Sequence, residues 1–114
     1  MITNSSLTLY HKALVDRDYK WIRHNYESVW WFGGKGSGTN KGFENANDVD
    51  VRIPYDSNEN LNIADFNIGD IICNGTIEKD IESQTELKDI EVYNITSITN
   101  NTFGNNQHIH LGGK

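Results

Sequence analysis

His108 and His110 stand two residues apart near the end of the sequence, with Ile109 between them. On a strand, side chains two apart share a face. The pair can therefore offer two imidazoles to a metal, with His11, His24 or a carboxylate completing the set. The spacing alone specifies no site, because no Cys-x-x-Cys and no His-Glu-x-x-His occurs. The other reading turns both histidines outward at a subunit contact, where imidazole titration ties assembly to pH. Cys73 follows Ile71-Ile72 and has no neighbouring histidine, which reads as a small buried hydrophobe rather than a nucleophile. No Gly-x-Ser-x-Gly elbow is present, and nothing marks two of the carboxylates as a glycosidase-like pair. Glycines at 33, 34, 36, 38 and 42 form a loop, but no Gly-Lys-Ser/Thr and no dinucleotide fingerprint accompanies them. No catalytic, cofactor or metal residue is assigned, and the chain is expected not to be an enzyme.

The tryptophans say more. Trp30 and Trp31 are adjacent, so on a strand one must face the core and the other must leave it. The outward ring needs a cover. That cover is a loop of the same chain, a partner protein or a stacked sugar. Lys35 and Lys41, on the glycine loop that follows, join Trp30, Trp31, His108 and His110 as candidate subunit or partner contacts.

These residues lie on short extended segments separated by turns. Leu7–His11, Tyr19–Tyr26 and Ser28–Phe32 are rich in strand formers, with Asp16-Arg17-Asp18 as a turn between the first two. Asp48 to Pro54 alternates with period two, which places Val49, Val51 and Ile53 on one face and Asp48, Asp50 and Arg52 on the other. Pro54 ends that strand or lies on an edge. Ile68–Cys73 enters a strand that stops at Asn74-Gly75. Val92–Thr99 and His108–Leu111 complete the set. Ile95 and Ile98 are three apart, so burying both requires a bulge or two covered faces. Ser83-Gln84-Thr85-Glu86 carries a capping-box pattern and predicts a helix of about two turns. The expected fold is mainly β: a small antiparallel barrel or sandwich of six to seven short strands, one short helical turn and a long glycine-rich loop.

At 114 residues the chain is one domain, 1–114, with a flexible loop expected at about 33–47. The longest apolar run, Val29 to Phe32, falls far short of the ~20 residues of a membrane span. No secretory signal is visible at the N-terminus, and one cysteine excludes an internal disulfide framework. The net charge of −6 is uneven: residues 1–41 carry +3 and residues 42–114 carry −9. That balance disfavours broad binding to duplex DNA and fits two differently charged faces. Fifteen asparagines, with many Ile and Lys, suggest an AT-rich genome, and the four Asn-x-Ser/Thr triplets read as chance.

Several blocks carry a family likeness: Ile2 to Lys12, Val29-Trp30-Trp31-Phe32-Gly33-Gly34, Val51-Arg52-Ile53-Pro54-Tyr55, Ile68-Gly69-Asp70-Ile71-Ile72, Tyr93 to Asn101, and Phe103 to Lys114. Together they resemble a family of small uncharacterised proteins of tailed phages and prophages of low-GC Gram-positive hosts. In size and strand pattern the chain is also similar to the head-completion (head-closure) proteins of siphophage necks. The resemblance implies a non-catalytic structural virion protein of the head-to-tail connector, assembled in the bacterial host cytoplasm. It implies a homo-oligomeric ring, portal-adaptor and tail proteins as partners, packaged DNA in the channel as a further one, no membrane and no cofactor. The alternatives are a tail-completion or minor tail protein, or a small carbohydrate-binding or metal-dependent module.

Overall fold

The computed structural model describes residues 3–33, 48–87 and 90–114. Six antiparallel strands close into a barrel in the order β1-β2-β3-β6-β5-β4. They are β1 (Ser5–Val15), β2 (Asp18–Gly33), β3 (Val49–Pro54), β4 (Ile71–Asn74), β5 (Val92–Asn101) and β6 (His108–Gly113). The expected barrel is thus the fold, but its first two strands are long. Asp16 and Arg17 take φ of 50° and 73° and close a two-residue turn between Val15 and Asp18. Left-handed turns of this kind match the twist of the flanking strands.

The runs Tyr19–Tyr26 and Ser28–Phe32, expected as separate strands, are one. Ser5 pairs with Val29 while Leu7 pairs with Tyr26, so β2 holds one extra residue there. The bulge resets the alternation, and Tyr26 and Val29 are both buried though three apart. A second bulge in β5 sets Ile95 against Gly113 and Ser97 against Gly112. It allows buried Ile95 and half-buried Ile98 to reach the same core.

Two cores result. Inside the barrel, alternate residues of each strand meet, among them Leu7, Leu9, Val49, Val51, Ile53, Ile72, Ile109 and Leu111. Gly113 faces this interior, where a Cβ would come within 2.9 Å of Val49 Cγ2 and 3.2 Å of Ile72 Cδ1. The second core is outside. Tyr10, Ile71 and Cys73 point away from the barrel and are covered by Ile81 and Leu87, with half-buried Ile77 and Ile90 beside them. The capping-box segment belongs to this cover, where it forms a single 3-10 turn, Gln84–Leu87, rather than a two-turn helix. Glu86 still bends back as the pattern requires, its carboxylate accepting from the Ser83 and Glu82 N–H groups at 2.9 and 2.6 Å. A second 3-10 turn, Ile63–Asp65, is capped by the Asn62 side chain. Past Gly33, the glycine-rich loop, with Lys35 and Lys41, lies outside the described residues.

Candidate functional site

The outward face of β2, β3, β6 and β5 gathers three of the six singled-out side chains, Trp30, His108 and His110. Strand register aligns Trp30 with Arg52, Arg52 with His110, and His110 with Thr99. The next row runs from Phe32 through Asp50 to Gly112. Trp30 and Phe32 lie parallel, with ring centroids 5.7 Å apart and planes 3° apart. The Arg52 guanidinium carbon stands 4.8 Å from the Trp30 ring centre, a cation–π contact. Phe32 is 63% exposed. The result is a flat aromatic pair with a cation over one ring, on the rigid sheet of the barrel.

Alternation sends the adjacent tryptophan the other way. Trp31 is buried against Tyr93 at 5.9 Å between centroids. Asn4 clamps its backbone, accepting from the Trp31 N–H at 2.8 Å and donating to its carbonyl at 3.1 Å. Trp31 therefore takes no part in the outer face, and of the two tryptophans only Trp30 is placed to meet a partner.

His108 and His110 do share a face of β6, but each is engaged separately. His110 Nε2 is 3.3 Å from Asp50 Oδ1. His108 Nδ1 is 2.7 Å from the Asn106 carbonyl, and its Nε2 is 3.1 Å from Asn101 Nδ2. These partners assign His108 the Nδ1–H tautomer, donating to Asn106 and accepting from Asn101. Among the described residues no group of three His, Cys, Asp or Glu side chains is arranged to hold a metal ion. Cys73 is wholly buried, and burial pushes its thiol up to about 12, far from the thiolate a nucleophile needs.

Sequence reasoning missed one hub. Asp70, 1% exposed, accepts from His11 Nδ1 at 2.7 Å, the Lys12 N–H at 3.1 Å and the Asn67 N–H at 2.9 Å. A Gly-Asp pair before an apolar run signals a turn, but nothing local reveals that β1 supplies two of the donors. The carboxylate pins the 67–70 turn to β1, with the His11 and His24 rings 6.5 Å apart beside it. Both of its oxygens are occupied by the chain's own donors, which makes the hub structural.

The model of a family of unknown function, DUF6751, matches residues 2–114, and the chain belongs to that family. No curated protein and no solved structure matches it.

Proposed function

We propose that this DUF6751 member is a non-catalytic structural subunit of a homo-oligomeric ring in the head-to-tail connector of a tailed phage, at head completion or closure. The observation that carries an assembly role is the outward Trp30–Phe32 pair with Arg52 against it. Aromatic and arginine side chains concentrate at the centres of protein interfaces, and a closed barrel holds them with little loss of freedom on docking. The connector as the particular assembly rests on the sequence resemblance. On this reading the partners are further copies, portal-adaptor and tail proteins and the packaged DNA. The protein acts in the virion after assembly in the host cytoplasm.

The test has two arms. Purified protein is examined by light scattering and negative-stain microscopy, alone and with Trp30→Ala, Phe32→Ala and Arg52→Ala. Rings that are lost in these variants, while the melting temperature holds, support the reading. In a phage lacking the gene, unjoined full heads and free tails, rescued by wild type and not by Phe32→Ala, identify the connector. Joined particles lacking another tail part would instead assign a tail-completion or minor tail role. A carbohydrate-binding module is the weaker alternative, because Arg52 already occupies the Trp30 ring that a sugar would stack on.

A further inference from the structure

We propose that the outer edge of β2, from Tyr19 to Glu27, is a self-association edge, on which a second copy of this chain pairs its own β2 antiparallel about a two-fold axis at Ile22. Barrel closure uses only the far end of β2. β3 pairs with Trp30–Gly33, whereas β1 follows the opposite edge as far as Asp18. Among the described residues no backbone hydrogen bond reaches the outer edge between Tyr19 and Glu27. Unpaired N–H and C=O groups in a row are a template for another strand. The stretch is only partly protected. It has no proline, one of its three charged side chains (Lys20, Arg23 and Glu27) is tied to its own chain through the Arg23–Asp80 ion pair, and its bulge comes only after Tyr26. Tyr19 is 68% exposed and Ile22 39% exposed along it. A cleft of about 350 Å³ separates Asn25–Glu27 from residues 57–60, so this end of the edge is not filled by that neighbouring segment.

The second copy is the occupant because the edge complements itself. A two-fold axis normal to the sheet sets residues equally distant from the axis opposite each other and on one face. With the axis at Ile22, the two isoleucines meet. Trp21 then faces Arg23 of the other copy, and Arg17, on the turn just beyond the strand, comes at the end of the ribbon beside the other copy's Glu27, each contact made twice. Neither Arg17 nor Glu27 has an ion pair in its own chain among the described residues. Moving the axis to Arg23 would oppose two guanidinium groups. Moving it to Trp21 would lose both the isoleucine contact and the Arg17–Glu27 pairs. A two-stranded ribbon is marginal on its own, and residues 11–15 have only 18–22 as strand partners, so pairing also widens the least supported part of the sheet. The edge lies apart from the Trp30 face, so this dimer stands or falls independently of the connector reading.

Sedimentation velocity of the full chain over a wide micromolar range tests the proposal, with a reversible dimer expected. Ile22→Glu and Ile22→Lys each place like charges opposite one another and should weaken that dimer at least about tenfold, with thermal melting unchanged. Mixing the two variants should restore a dimer containing one of each, read by native mass spectrometry. Ile22→Cys should oxidise to a covalent dimer, since opposed Cβ atoms lie within about 4.5–5.5 Å and buried Cys73 does not compete. Should the charge variants fail to fold, or should wild type form a larger ring, this cross-link decides the case. A wild type that stays monomeric throughout, or an Ile22→Cys protein that gives no cross-linked dimer, overturns the proposal.

Discussion

Asp70 is a single carboxylate that ties three donors from two segments, and its loss should cost more than its one side chain suggests. Asp70→Ala leaves three part-buried N–H groups without their acceptor, and a fully buried unsatisfied donor costs about 1–3 kcal/mol, less where water can reach it. We expect a loss of about 1–3 kcal/mol for Asp70→Ala and about half of that for Asp70→Asn, measured as urea midpoints at constant slope. A shift no larger than that of an exposed substitution would mean the hub is decorative. The Cys73 thiol gives a second residue-scale outcome. Burial raises it to about 12, and burial also raises Tyr26 and Tyr10. An acid whose folded pKa is raised keeps its full stabilising effect below the unfolded value and loses it as pH rises toward the folded value. For the thiol alone, stability should fall by roughly 1.4 kcal/mol per pH unit between about pH 9 and 12. Denaturant titrations at stepped pH check this, and a flat profile across that window would contradict it. In the folded protein Cys73 should resist thiol reagents at pH 8 and react fully on unfolding.

Elements show how far the sequence could be read. Val49, Val51 and Ile53 alternate without interruption, and all three are at most 1% exposed, because β3 faces one core and one outer surface. Ile71-Ile72-Cys73 reads equally well as a strand, but all three residues are buried. Period-two logic cannot say what covers the second face, since that cover comes from Ile77, Ile81, Leu87 and Ile90, which are spaced irregularly. The three-residue spacing of Ile95 and Ile98 allows a bulge or two covered faces, and the register shift between Ile95 and Ser97 is the bulge. The matching bulge in β2 escapes notice because Tyr26 and Val29 straddle Glu27 and Ser28, which look like a break between strands. The Trp30–Phe32–Arg52 group was half legible: alternation separates Trp30 from Trp31, whereas the guanidinium arrives from β3 through long-range register. Truncation should rank accordingly. Ile53→Ala and Ile95→Ala should each cost about 2–5 kcal/mol, Gly113→Ala about 1–3 kcal/mol through overpacking, and Arg52→Ala less than either isoleucine. Thermal melts of the four variants test the order, and a costlier Arg52→Ala would put the outer face on a par with the core.

At the scale of the whole molecule, closure joins distant parts of the chain: β1 pairs with β4, and β3 with β6. Chains dominated by non-local pairings must close large loops before contacts reward them, and they fold in milliseconds to seconds. We expect refolding in that range, followed by stopped-flow far-ultraviolet dichroism, and a microsecond phase carrying the full amplitude would contradict it. Among the described residues no helix is long and apolar enough to cross a membrane. The three tryptophans are divided among three surroundings: Trp31 inside the barrel, Trp30 beneath Arg52, and Trp21 beside Lys12 on the β1–β2 ribbon. The chain thus carries three intrinsic fluorophores, each wired to a different event. A variant keeping only Trp31 reports global unfolding, one keeping only Trp30 reports occupation of the outer face, and one keeping only Trp21 reports pairing of the ribbon, so emission colour and quenching alone can separate the three without any added label.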